Sequence, residues 1–488
     1  MNFVLALLTA ALLILTFPRA NLTWLAPIAL TPLLFSVARE SRPLRRFILG
    51  YVAGVGYWFG VCYWIQFVLA VHGGMGEAVG WAVFALFCLA KAMQMGAFAL
   101  LAGIALRRSW GLPAVASLWV AIEATHGPMG FAWLTLGNAG IDMSVPMRLA
   151  PYTGVYGLSF VFAMLSAGLT LAIMRRPRAQ LAWLLPLPLC ILLPKLPAPQ
   201  RGDATAVLVQ PYIAEDEQWT PQSFARLEQR LTLLSKSAFP SNGNPPDILV
   251  WPEVPAPFYD NDPELHRLAA GLAHGTKAGF LLGVVGHAPD GAILNSALLI
   301  SPSGSVVSRY DKVNLVPFGE FVPWPLGALT RKISTEVGDF RQGTQVVVSD
   351  AAEQKIGTFI CYESVFPNFI RRFAANGAQV LFNLSNDSWF GKTAARFQHL
   401  EIVRMRAAEN RRWILRATNN GITASIDPAG RLKSVAASYT ELAYRVGYEY
   451  IRDTTVYTEY GDWFVWLCAI LSLGGCMPRI APQKFEAE

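Results

Sequence analysis

Eight long apolar stretches constrain this chain more than any other feature. They lie at 2–18, 22–38, 47–70, 78–106, 112–132, 153–174, 180–196 and 461–478. A helix of about 20 mostly apolar residues spans the hydrocarbon core of a bilayer. Backbone placed in lipid must satisfy its own hydrogen bonds, so each stretch is expected to be a transmembrane helix. Glu123 and His126 interrupt the fifth stretch. The first has no Lys or Arg before its apolar run and is followed at once by the second. It therefore reads as a span and not as a cleavable leader.

Basic residues fall on alternate loops. Arg39, Arg42, Arg45 and Arg46 follow the second span, Arg107 and Arg108 the fourth, and Arg175, Arg176 and Arg178 the sixth. The intervening loops carry only Arg19 and Arg148, with none in 72–78. The positive-inside pattern puts both termini in the cytoplasm and the segment between spans seven and eight outside. Arg479 and Lys484 then lie in a cytoplasmic tail. The net charge of +7 follows partly from these loops. No basic stripe with interleaved aromatics accompanies it, so nothing points to nucleic acid.

The expected organisation is a seven-span domain at 1–198, a soluble domain at 199–455, and a final span with its tail at 456–488. The Pro-rich run 194–200 reads as the linker. Period-2 apolar runs at 206–210, 247–251, 280–285, 297–301, 306–309, 355–360 and 380–384 predict strands. Phe224, Leu227, Leu231 and Leu234 form a helical stripe, and Pro367 and Gly377 frame a short helix. This grammar predicts an α/β or α+β domain around a central sheet.

Within that domain GTFICYESVFP contains Cys361, a thiol with no partner cysteine there; Cys62, Cys88, Cys190, Cys468 and Cys476 fall in or at the edge of spans. An odd cysteine in an extracytoplasmic domain is a buried structural residue, an intermolecular link or a reactive group. Cys361 follows a predicted strand, where α/β sheets place reactive groups. Glu253 follows the run ILVWP, and Lys312 follows VVSRYD. A thiol needs a base, and the oxyanion formed by its attack on a carbonyl needs a fixed positive partner. Spacing alone does not join the three residues.

The motifs WPE, YDKVNLVPFGEFVP and GTFICYESVFP resemble those of the nitrilase superfamily, whose domains are αββα sandwiches with a Glu-Lys-Cys triad. With NLSNDSWFG, RMRAAENRRWILRATNNGITASIDPAG and the flanking spans, the whole chain resembles the apolipoprotein N-acyltransferase family. The resemblance implies Glu253 as general base, Lys312 as oxyanion partner and Cys361 as nucleophile. It carries supporting or substrate-binding roles to Trp219 in EDEQWT, Glu320 in PFGEF, Tyr362 and Glu363 in CYES, and Trp389 in NDSWF. Ser385 stands in NLSND where the family pattern suggests Thr.

It further implies a monomeric multi-pass protein of the bacterial inner membrane with a periplasmic catalytic domain. The implied partners are membrane lipids, a phospholipid acyl donor such as phosphatidylethanolamine, and a diacylglyceryl apolipoprotein acceptor. A membrane-tethered amidase acting on a small amide would keep the same triad. The six histidines, His72, His126, His266, His274, His287 and His399, show no ligand spacing, so no metal or other cofactor is expected. Lys91 and Glu123 lie in or near spans, where a charge is a functional candidate by default and equally reads as a structural polar contact between helices. The aromatic loops 316–326 and 388–397 are expected to cover the site.

Overall fold

The computed structural model describes residues 1–175, 178–198, 202–214, 217–239, 245–317, 319–321, 340–351 and 353–477. Arg176, most of the 316–326 loop, the end of the linker, and Arg479 and Lys484 of the tail lie outside them.

The N-terminal half is helical: α1 (Asn2–Thr16), α2 (Thr31–Arg39), α3 (Pro43–Cys62), α4 (Trp64–His72), α5 (Gly76–Ala105), α6 (Gly111–Ala124), α7 (Ala150–Thr153) and α8 (Val155–Ile173). Among the described residues, α5 and α8 are long and apolar enough to cross a membrane, and α3 with α4 forms a third candidate bent by 58°. The other expected spans are shorter apolar helices. A 15-residue helix such as α1 reaches about 22 Å, less than the roughly 30 Å of a bilayer core.

Three of the five shortenings have a local cause. Pro27 lies inside a 3-10 segment, Thr23–Ile28, ahead of α2. The fifth stretch stops at Ala124, where the Glu123 carboxylate turns to accept from Leu136 N–H at 2.6 Å. The seventh is two 3-10 segments, Arg178–Leu184 and Leu187–Leu192, because Pro186 and Pro188 remove backbone donors. Close packing of α3 on α5 depends on small residues. A Cβ at Gly50 would lie 2.3 Å from the Met95 carbonyl oxygen.

The second half holds two six-stranded sheets. The first has the order β12-β1-β2-β3-β4-β5 and the second β11-β10-β9-β8-β7-β6. The strands are β1 (Ala204–Gln210), β2 (Ile248–Val250), β3 (Gly279–His287), β4 (Ile293–Ile300), β5 (Val306–Asp311), β6 (Val348–Ala351), β7 (Gln354–Ile360), β8 (Val380–Ser385), β9 (Ile414–Thr418), β10 (Ala424–Ile426), β11 (Leu432–Val435) and β12 (Leu442–Tyr448). Parallel pairs β1–β2–β3 and β7–β8–β9 form the sheet centres, and antiparallel strands complete the edges. All seven expected strands are present. β6, β9, β10 and β11 were not expected because they have three to five residues and carry polar side chains, and β12 because Arg445 and Gly447 break its apolar run.

Apolar side chains fill the space between the sheets, among them Leu208, Val250 and Leu281 from one and Ile356, Phe382 and Leu415 from the other. Helices α9 (Pro221–Ser237) and α10 (Pro263–Thr276) cover the outer face of the first sheet through Leu227, Leu231, Leu265 and Leu272. Helices α11 (Pro367–Ala375) and α12 (Ala395–Asn410) cover the second. The result is a four-layered αββα sandwich.

From Gln398 onward helix α12 is buried all round. Its Leu400, Val403 and Ala407 face the sheet core, while Ala395, Ile402, Met405 and Ala408 join the core of the helical half. The two halves are thus packed through one shared helix. After α13 (Val456–Tyr460), α14 (Trp463–Cys476) returns to pack on α6.

Candidate active site

Three strand ends converge. Glu253 follows β2 through Trp251 and Pro252, and its turn lies directly over β3 at Gly283. A Cβ there would meet Pro252 O at 2.6 Å and Glu253 Cα at 2.8 Å, so only glycine admits this approach. Lys312 follows β5 and is anchored by its N–H donating to Asn295 O at 2.8 Å. Cys361 follows β7 and opens a 3-10 turn, Cys361–Val365. Its φ of 50° is left-handed. A side chain in that region costs about 1–3 kcal/mol and is held by its surroundings.

Lys312 is buried and its Nζ donates to Glu253 Oε1 at 3.0 Å and to Glu320 Oε1 at 2.8 Å. Asn295 Nδ2 donates to the same two oxygens, at 2.8 Å each. Glu253 Oε2 accepts from Asn386 N–H at 2.8 Å, and Glu320 Oε2 from Val316 N–H at 2.8 Å. Burial alone would lower the Lys312 ammonium; Glu253 and Glu320, then Cys361, outweigh it and hold the group well above the usual lysine value. Burial pushes the Cys361 thiol up, Glu253 and Asp387 add to this, and Lys312 and Ser385 only partly offset them. The thiol is therefore protonated at neutral pH, and its attack on a carbonyl requires a base that takes the proton.

The supporting residues separate into distinct places. Glu320 belongs to the cluster. Glu363 lies behind the Cys361 turn: its Oε1 accepts from Tyr310 O–H, Val313 N–H and Asn314 N–H at 2.6, 2.8 and 3.1 Å, and its Oε2 from Ile360 N–H at 2.7 Å. It clamps the chain after Lys312 to the chain before Cys361.

Tyr362 points into the helical half. Its hydroxyl donates to Ala132 O and accepts from Ala132 N–H, both at 3.1 Å, and its ring stacks on Phe131. Lys91 holds this loop by donating to Phe131 O at 3.0 Å, and it lies over the Trp58 ring. Of the two readings of Lys91 and Glu123, these bonds agree with the structural one. Trp389 sits with its ring 4.8 Å from His72, and Phe390 packs on Trp64 and Trp133. The start of the 388–397 loop is thus a contact with the helical half. Trp219 packs edge-on against Phe224 of α9 and is 40% exposed.

Residues 208–447 match the family model described as Carbon-nitrogen hydrolase, and residues 9–168 match the Apolipoprotein N-acyltransferase N-terminal domain. The chain is 33% identical to an apolipoprotein N-acyltransferase of Geobacter metallireducens, with 96% of this chain and 93% of that relative covered. The chain belongs to the apolipoprotein N-acyltransferase family. A relative of the same name from Nitrosomonas europaea is 30% identical, with 94% of each chain covered. Among solved structures, a Saccharomyces cerevisiae member of branch 10 of the nitrilase superfamily is similar at 17% identity and a TM-score of 0.40, covering 50% of this chain and 89% of that one.

In this member of the apolipoprotein N-acyltransferase family, sequence reasoning missed Asn295, which bridges the two carboxylates, and the cluster of Asp387, His399 and Arg416 beneath Cys361. A buried Asn within the apolar strand β4 was the available signal for the first. His399 gave none, because its partners lie 12 to 38 residues away.

Glu363→Gln tests the clamp. Whichever way the amide lies, its NH2 faces an N–H donor, at a cost of about 1–3 kcal/mol. Burial pushes the Glu363 carboxyl up to about 7. Its folded value is therefore above the unfolded one, so its contribution is full below the unfolded value and is lost as pH rises through about 7. Thermal melts in detergent should show the variant less stable at pH 5, with a deficit that narrows by pH 8. A constant deficit would contradict this ionisation.

Proposed function

We propose that this chain moves a fatty acyl group from a phospholipid to the α-amine of the diacylglyceryl-modified N-terminal cysteine of an apolipoprotein. The observation that carries the reading is the buried Glu253–Lys312–Glu320 cluster beside the buried Cys361, on a turn that Tyr362 fastens to the helical half. Tethering suits a reaction whose two substrates are both lipid-anchored. The match to the N-terminal domain model over 9–168 favours this over hydrolysis of a small amide.

The reaction is ping-pong. Cys361 Sγ attacks the ester carbonyl carbon while Glu253 takes the thiol proton. The oxyanion develops against the Lys312 ammonium, which Glu320 orients. Collapse breaks the C–O bond, and Glu253 returns the proton to the leaving lysophospholipid alkoxide. The acceptor amine then attacks the thioester, Glu253 takes its proton, and the C–S bond breaks to restore the thiol. Trp219 and Trp389 take substrate-binding roles, and phosphatidylethanolamine is the donor.

The chain acts as a monomer in the bacterial inner membrane. Eight spans put both termini in the cytoplasm and residues 199–455 on the periplasmic side, between membrane segments 1–198 and 456–488. Local bilayer thinning and polar flanks accommodate the shorter helices.

The test is to incubate the full chain with phosphatidylethanolamine vesicles and follow its intact mass, then add a diacylglyceryl-cysteine peptide. One acyl chain should appear on Cys361 and pass to the peptide amine. Release of free fatty acid without transfer would favour a hydrolase.

A further inference from the structure

A polar cluster that the reaction scheme leaves unused lies beneath the nucleophile turn. His399 of α12 is fully buried. Its Nε2 lies 3.1 Å from the Cys361 carbonyl oxygen and 2.9 Å from Ser364 Oγ. Its Nδ1 lies 3.1 Å from Asp387 Oδ1 and 3.1 Å from Arg416 Nη2. Ser364, His399 and Asp387 therefore have the spacing of a serine–histidine–aspartate relay.

Hydrogen-bond polarity assigns another role. The Cys361 carbonyl can only accept, so its contact with the ring requires a proton on Nε2. Arg416 can only donate, so its contact requires a lone pair on Nδ1. The neutral ring protonated at Nε2 meets both demands. In that tautomer the Nδ1 lone pair faces Asp387 Oδ1, itself an acceptor, at 3.1 Å, and Arg416 Nη2 screens the pair: it is 2.7 Å from both Asp387 oxygens and 3.1 Å from Nδ1, while Ser385 Oγ donates to Oδ1 at 2.9 Å. Burial, then the Arg416 guanidinium, hold the imidazole below its usual pKa, against the pull of Asp387, so the ring is neutral. In this tautomer Nε2 has no lone pair for the Ser364 proton, and Ser364 is itself fully buried. The relay is closed to catalysis.

We propose that His399 is a positioning residue for Cys361. By donating from Nε2 to the Cys361 carbonyl, it holds the left-handed backbone that aims the thiol at Glu253 and Lys312. A planar peptide turns as a unit, so fixing the carbonyl fixes the orientation of the whole 361–362 link. The neighbouring residue, Gln398, donates from Nε2 to Pro18 O at 2.9 Å and to Val61 O at 3.2 Å in the helical half. One turn of α12 thus grips the helical half and sets the nucleophile. The inference rests on Cys361 being the acyl acceptor.

The test uses the full chain in detergent with a p-nitrophenyl acyl ester, which removes lipid access from the measurement. Intact mass gives two quantities: the final fraction of chains carrying an acyl group, and the rate constant for reaching it. His399→Leu should reach the wild-type end point with its rate constant lowered by about 100-fold, the scale of a misplacement near 1 Å. His399→Gln restores a donor near the Nε2 position and should recover most of the rate. His399→Asn keeps an amide near Asp387 but does not reach the carbonyl, and should stay slow. If the leucine variant fails to fold, the Asn–Gln pair decides the matter.

A lowered end point with an unchanged rate constant indicates a merely structural role and overturns the proposal. So does a glutamine variant as slow as the asparagine one. Failure of the wild type to carry an acyl group on Cys361, or a group found on Ser364, overturns the reading of the nucleophile itself.

Discussion

Cys361→Ala is expected to give a folded protein with no acyl adduct and no transfer. The thiol is buried, and its removal takes away one sulfur and opens a void worth about 1 kcal/mol. Alanine meets the same backbone strain at φ 50° as cysteine does, so the turn should survive. The chemistry has no substitute, because the other five cysteines all lie in the helical half or in α14. Loss of a nucleophile that acts as a unit with its partners lowers turnover by about 10⁴-fold or more. Cys361→Ser keeps an attacking atom, but an alcohol is a far weaker nucleophile at neutral pH. The measurement is intact mass after incubation with vesicles, with hydroxylamine used to cleave a thioester. An alanine variant carrying a hydroxylamine-sensitive chain would end the assignment.

Lys312→Met is expected to damage both stability and rate. The ammonium is almost fully buried and lies between two carboxylates, Glu253 at 3.0 Å and Glu320 at 2.8 Å. Methionine fills similar space and leaves those carboxylates sharing only the Asn295 amide. Removing one member of a buried charge cluster costs about 3–5 kcal/mol. The oxyanion partner is then lost, and the two carboxylates lose the charge that holds them in place, so thioester formation should fall by about 10³-fold or more. Lys312→Arg keeps the charge, but a planar guanidinium does not fit a pocket shaped for an ammonium, and it should also be severely impaired. Single-turnover rates from an activated ester, with thermal melts, test both variants. A methionine variant that forms thioester at the wild-type rate would remove Lys312 from the mechanism.

The apolar stretches and the strand ends were legible because both are local patterns. A strand alternates with period 2, and the polar residue that ends an apolar run marks the edge of the sheet, which is how Glu253 and Lys312 stood out, while Cys361 stood out as a thiol with no partner in its domain. Helix lengths were less legible, since the length of an apolar block says nothing about where Pro27, Pro186 or a turning Glu123 interrupts the ladder. The supporting residues show the same limit. Glu320 and Glu363 look alike as carboxylates in aromatic motifs, yet one contacts Lys312 and the other braces the turn from behind. Tyr362 follows Cys361 directly, yet its hydroxyl bonds to a loop 230 residues away.

An apolar helical half, an α/β half and three chemically matched residues at strand ends could be read from the chain alone, because each depends on neighbours within a few residues. Packing brought the rest together: Asn295 and Lys312 gather two carboxylates, Tyr362 and Gln398 fasten the sandwich to the helices, and His399 lies under Cys361. Those contacts join residues from 8 to 380 positions apart. They follow from strand order and register and from the burial of α12 on both faces, and these arise only when the whole core is packed at once.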